Sequence, residues 1–90
     1  MLVLPEAITH ASAVACLADL SRALAKEAES DVVLDAGGLN RFDSAALAVL
    51  LELRRNVVKL GKNLVLKDAP QRLQDLAALY GIAELLQLRA

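Results

Sequence analysis

One hydroxyl group stands where it could take part in chemistry. Ser44 follows the acidic Asp43 and leads into a long apolar, helix-favouring run. A hydroxyl at a helix N-terminus is a good phosphate acceptor, because free backbone N–H groups and the helix dipole stabilise added negative charge. Phosphorylation would add about −1.5 to −2 charge units beside Asp43. The competing interpretation is structural, with Ser44, or Asp43, capping the N-terminus of the helix.

Other residue types that support catalysis or metal binding are scarce. Ser44 lacks the glycine-flanked elbow of serine hydrolases, and the sequence identifies no acidic partner for the single histidine, His10. The single cysteine, Cys16, falls on the apolar side of a predicted helix, which favours packing over reactivity. One Cys and one His cannot form a zinc site of the usual ligand count. Gly37-Gly38 and Gly61-Lys62 match no phosphate-loop pattern and are predicted to be turns. We therefore expect a binding module with no catalytic residue, metal or cofactor.

Length and composition narrow the class of partner. The 90 residues predict one domain, residues 1–90, with 57% hydrophobic and only 2% aromatic side chains. A net charge of −1, from 10 basic and 11 acidic residues, gives no electrostatic footprint for nucleic acid. No stretch approaches the roughly 18 apolar residues of a membrane span, and no positive residue precedes the apolar N-terminus. We expect a soluble, cytoplasmic protein.

Three continuous apolar runs, spaced by about the 30 residues of a β-α-β unit, are typical of buried strands. The predicted strands are Leu2–Leu4, Val32–Leu34 and Leu64–Leu66. The predicted helices run from about Ser12 to Ala28, from Ser44 to Leu60 and from Pro70 to Tyr80, and a last helical turn is expected around Leu85, Leu86 and Leu88. The apolar face predicted for the second helix comprises Leu47, Leu50, Leu51 and Val58. The β-α-β-α-β-α order predicts an α/β fold with a small, mostly parallel sheet and helices packed on it.

The run VVLDAGGLNRFDSAAL, the Gly61-Lys62 turn into a strand and the segment APQRLQDLAALYGI together resemble a STAS domain. This is the fold of bacterial anti-sigma-factor antagonists and of the cytoplasmic tails of sulfate transporters. Leu-Tyr-Gly followed by an aliphatic residue is most similar to the MlaB-type branch. Those proteins are small soluble subunits of the Mla phospholipid-transport ABC complex, which maintains outer-membrane lipid asymmetry in Gram-negative bacteria.

The resemblance implies a role for the loop and helix start around Ser44. Ser44 matches the Ser or Thr after the motif aspartate, Asp43. In the anti-sigma antagonists that position is the phosphorylation switch, and in the MlaB-type branch it lies at the surface that docks on the ATPase subunit. The implied partner-binding residues are Gly38, Leu39, Asn40, Arg41, Phe42, Asp43, Ser44, Ala45 and Ala46.

The function implied is that of a non-enzymatic protein that binds and regulates or stabilises the ATPase subunit of an ABC phospholipid transporter. Such a protein would lie at the inner membrane only through the transporter. The alternative is an anti-sigma-factor antagonist that binds a kinase anti-sigma factor and is switched by phosphorylation of Ser44. The family's extra N-terminal strand has no counterpart before Leu2. Either the coding sequence begins upstream, or an open sheet edge remains, which would favour a homodimer.

Overall fold

A computed structural model describes residues 2–84 of the chain. Its elements are β1 (Leu2–Val3), β2 (Ala7–Ile8), α1 (Ala13–Leu24), β3 (Asp31–Asp35), β4 (Arg41–Phe42), α2 (Ser44–Lys59), β5 (Asn63–Lys67) and α3 (Gln71–Leu79). The three predicted strands and three predicted helices are all present in the predicted order, so the α/β class is confirmed. The helical turn predicted at Leu85, Leu86 and Leu88 lies outside the described residues.

The main sheet is parallel, with the strand order β1-β3-β5. Its register places Val32 beside Leu64 and Leu34 beside Leu66, and each of these four side chains is at most 2% exposed. Continuous apolar runs suit this degree of burial, since layers packed on a parallel sheet exclude water. β1 forms an edge of this sheet within residues 2–84, and the homodimer expected from an open edge stays a prediction.

A second, two-stranded parallel sheet was not predicted. It pairs β2 with β4, with Ala7 beside Arg41 and Ile8 beside Phe42. Each strand has only two residues, too few to show an alternating pattern in the sequence. The Glu6 carbonyl supports the pairing by accepting backbone N–H groups from the start of β4 at 2.7 and 3.0 Å. This small sheet fixes the residues that lead directly into α2.

The α2 helix supplies the centre of the core. Its buried residues are Ala46, Leu47, Val49, Leu50, Leu53 and Val57. Leu47 and Leu50 confirm the predicted apolar face, and Leu51 is half-buried. The prediction that Val58 shares this face is wrong, because Val58 is 50% exposed and Val57 is fully buried. Seven residues make almost two helical turns, so position 57 lies below Leu50 while position 58 is rotated away.

The predicted helix stops are confirmed at two glycines. Gly61 and Gly81 have φ values of 75° and 70°, a left-handed conformation that glycine adopts without steric cost. After α2, the Lys62 N–H donates to the Val57 carbonyl at 3.0 Å and the Gly61 N–H donates to the Val58 carbonyl at 2.9 Å. This is the Schellman arrangement, which satisfies the last carbonyls of a helix. The chain is thereby turned from α2 into β5.

Candidate functional site

Ser44 is the first residue of α2, and its side chain is exposed. Asp43 is the N-cap, because its Oδ1 accepts the backbone N–H of Ala45 at 2.9 Å. The Asp43 carbonyl also accepts the N–H of Ala46 at 3.0 Å. Asp43 therefore performs the capping that the sequence left open between these two residues. The Ser44 hydroxyl is not used for capping and lies at the tip of the helix.

Asp43 also ties α2 to the loop before α1. Its Oδ2 accepts the backbone N–H of His10 at 3.2 Å. These hydrogen bonds, first from Ala45 and then from His10, hold the pKa of the Asp43 carboxyl below its usual value. The carboxylate is therefore ionised at neutral pH and keeps both loops together.

The structure brings together His10, Asp43 and Ser44, which line the same groove. Asp43 accepts the backbone N–H of His10 and so does not orient the imidazole ring. In residues 2–84, no hydrogen bond connects that ring to the Ser44 hydroxyl. The arrangement of a Ser-His-Asp triad, in which the acid fixes the ring and the ring contacts the hydroxyl, is not formed here.

Two open grooves flank the helix tip. The first, which we call the α1 groove, has a volume of about 700 Å³, lies between α1 and α2, and is lined by Val14, Leu17 and Ala48 among others. The second, the α3 groove, has a volume of about 410 Å³ and is lined by Phe42 and Leu79 among others. Asp43 and Ser44 contribute to both grooves. We call Ser44 together with these two grooves the Ser44 surface.

The walls of these grooves carry exposed apolar side chains. Val14 is 83% exposed on α1, and Leu79 is 79% exposed at the end of α3. Neither residue was among the predicted partner-binding residues. Helical periodicity assigns apolar residues to a buried face, and it gives no signal for an apolar residue that faces solvent beside a groove.

The junction between β4 and α2 is also contacted from α3. The guanidinium carbon of Arg72 lies 4.4 Å from the centre of the Phe42 ring, which is a cation–π contact. Arg72 Nη2 also donates to the Asn40 carbonyl, at 3.5 Å. Sequence reasoning did not identify Arg72. The one available signal is a cation in the first turn of a helix, where the helix dipole disfavours positive charge.

The nine predicted partner-binding residues differ in exposure. Gly38, Asn40, Arg41, Asp43 and Ser44 are exposed, and Phe42 and Ala45 are half-buried. Leu39 is 4% exposed and Ala46 is 0% exposed, and both belong to the core. The side chains of Leu39 and Ala46 can therefore support the surface from below but cannot contact a partner. For the other seven, partner binding stays a prediction.

The remaining candidates from the sequence take structural positions. Cys16 is half-buried and packs against the core, and burial, followed by the charge of Asp19, raises the pKa of its thiol. In residues 2–84, no group of three or more His, Cys, Asp or Glu side chains could hold a metal ion. None of the helices in that part of the chain combines the length and apolar content needed to cross a membrane.

The described residues form a parallel α/β domain with an exposed helix tip flanked by two open grooves. The family model described as "Mlab, STAS domain" matches residues 1–87. The chain therefore belongs to the STAS domain family, in its MlaB type, as the sequence predicted. STAS domains are typically regulatory or binding domains.

The fold is similar to that of the anti-sigma factor antagonist SpoIIAA in its unphosphorylated form. The TM-score is 0.74 at 15% sequence identity, and the alignment covers 98% of this chain and 76% of that chain. At this identity the likeness shows the STAS fold, which confirms the predicted fold class. No curated protein matches the sequence.

Proposed function

We propose that this protein is a non-enzymatic subunit that docks through its Ser44 surface onto the ATPase subunit of an ABC phospholipid transporter. Its MlaB-type family membership supports this class of partner. The observation that carries the proposal is the exposed Ser44 at the tip of α2, between two open grooves. The transporter would serve outer-membrane lipid asymmetry, and the protein would reach the inner membrane only through it.

The chemistry of the Ser44 surface suits a protein partner. Protein interfaces combine apolar contact area with polar groups, and here the exposed apolar Val14 and Leu79 lie on either side of the polar Ser44 and Asp43. The small side chain at Ala48 lets another chain approach the helix closely. Docking would stabilise the ATPase, or favour its active arrangement, to the extent that this protein binds one state of the ATPase more tightly than the other.

The test is co-purification with the cognate ATPase, using variants at Ser44. We expect Ser44→Ala to retain the complex, and Ser44→Glu and Ser44→Lys to weaken it at least tenfold, because a bulky charge would be buried without a partner. Ser30→Glu is the matched control, since Ser30 is exposed before β3, at the end of the strand opposite to the Ser44 side. If all three Ser44 variants bind like the wild type, the docking surface lies elsewhere.

A second candidate is an anti-sigma-factor antagonist switched by phosphorylation of Ser44. The exposed hydroxyl at a helix N-terminus, together with the STAS fold shared with SpoIIAA, favours it. Incubation with an anti-sigma kinase and ATP, followed by mass analysis, separates the two functions. Stoichiometric phosphate on the wild type and none on Ser44→Ala would favour the switch.

A further inference from the structure

Arg72 occupies a position that its own helix does not favour. It is the second residue of α3, where the positive end of the helix dipole destabilises a cation. The Arg72 side chain is exposed, so packing in the core does not account for an arginine at this position. Arg72 instead contacts two residues that lie 30 and 32 positions earlier in the chain. Its guanidinium lies over the Phe42 ring and donates to the Asn40 carbonyl.

The two contacts suit arginine in particular. A planar guanidinium can lie over an aromatic face and still donate an N–H in its own plane. The 4.4 Å separation from the Phe42 ring is well inside the roughly 6 Å range of a cation–π contact. Lysine could reproduce the attraction to the ring, but its ammonium group cannot stack on the ring.

Phe42 connects this contact to the helix tip. It is the last residue of β4, it is half-buried, and it directly precedes Asp43. Asp43 can accept N–H groups from both Ala45 and His10 only while its backbone holds the carboxylate between them. A displacement of Phe42 would therefore move Asp43, and with it Ser44.

We propose that Arg72 is a positioning residue for the Ser44 surface: by holding Phe42 and the Asn40 carbonyl from α3, it fixes the β4–α2 junction in the arrangement that presents Ser44 to a partner. The consequence for binding rests on the proposed function. The positioning of Asp43 and Ser44 in the free protein is independent of the proposed function.

The experiment follows the titration of the Asp43 carboxyl by NMR, through the backbone amides of Ala45 and His10. The variants are Arg72→Gln, Arg72→Lys and Phe42→Leu. Lys59→Gln serves as the control, because it removes one exposed cation at the far end of α2.

In Phe42→Leu and in Arg72→Gln we expect the pKa of Asp43 to rise towards its ordinary value, as its two hydrogen bonds loosen. Phe42→Leu changes no charge, so a shift in this variant reports displacement of the β4–α2 junction and not the loss of a nearby cation. Arg72→Lys keeps the charge and should restore part of the shift, whereas Lys59→Gln should leave the titration unchanged. For Arg72→Gln, affinity for the cognate ATPase should fall about two- to fivefold, the factor that corresponds to an exposed cation–π contact.

The positioning role is overturned if Asp43 titrates in Phe42→Leu as it does in the wild type, or if Arg72→Gln shifts it no more than Lys59→Gln does. The binding consequence is overturned if the titration moves while affinity stays unchanged. If the wild type itself does not bind the ATPase, the proposed function fails, and the titration still decides whether Arg72 positions Asp43.

Discussion

Leu79 offers the sharpest test of where a partner docks. It is the last residue of α3, it lines the α3 groove, and it is 79% exposed. Burying a whole leucine side chain contributes about 1.5–3 kcal/mol. Roughly four-fifths of this side chain is still available for burial by a partner. Leu79→Ala should therefore weaken the complex by about 1–2 kcal/mol, or about 5- to 30-fold in the dissociation constant.

The assay is calorimetric titration of the cognate ATPase with the wild type and each variant. Urea unfolding of the same samples should show a change in the free energy of unfolding within about 0.5 kcal/mol, because the deleted atoms are already in solvent. Val58→Ala is the matched control. Val58 is 50% exposed, but it lies at the opposite end of α2 from Ser44, so its truncation should leave affinity unchanged.

Two results would refute this reasoning. Wild-type affinity for Leu79→Ala, together with weakened binding for Val58→Ala, would place the interface at the C-terminal end of α2. A loss of more than about 2 kcal/mol in the free energy of unfolding of Leu79→Ala would indicate that Leu79 packs in the fold, because only buried truncations reach that cost.

Two further predictions concern stability. Asp43→Asn should be less stable than the wild type at neutral pH, and the difference should vanish on acidification. Because the pKa of Asp43 is lower in the folded protein than in the unfolded chain, the ionised carboxylate stabilises the fold at pH values above the unfolded-state pKa. This stabilisation is lost as the pH falls through the folded-state pKa. A difference in urea midpoints that does not change with pH would contradict this prediction. Gly61→Ala should cost about 1–2 kcal/mol, because φ is 75° at Gly61. The control Gly38→Ala, with open space around its added Cβ, should stay within about 0.5 kcal/mol in the same urea series, and equal costs would refute the argument from φ.

The main sheet and the helices were predictable because their signals are local. Continuous apolar runs such as Val32–Leu34 differ from the amphipathic helices between them, and glycines mark where helices stop. The helix start was predictable only to within one residue. Aspartate and serine are comparably good N-caps, so the sequence alone cannot decide between Asp43 and Ser44. The hydrogen bond from the Ala45 N–H to the Asp43 carboxylate identifies Asp43 as the N-cap.

The parts that sequence reasoning missed depend on contacts between distant segments. β2 and β4 are two residues each and pair across more than 30 positions, so neither strand has a pattern of its own. The contact of Arg72 with Phe42 spans 30 positions and depends on how α3 packs. Val57 and Val58 are the same residue type, and only the rotation of α2 against the sheet decides which one is buried.

Several contacts that hold the helix tip use a main-chain group on at least one side. The Glu6 and Asn40 carbonyls and the His10 N–H make three of the contacts around it. Any residue type could supply the two carbonyls, and any residue except proline could supply the N–H. Substitution at these three positions can therefore change the charge around Ser44 while the main-chain contacts persist. A rigid surface loses less conformational entropy on binding. The α2 core and the main-chain contacts can thus keep the Ser44 surface rigid while its exposed side chains vary to suit a particular partner.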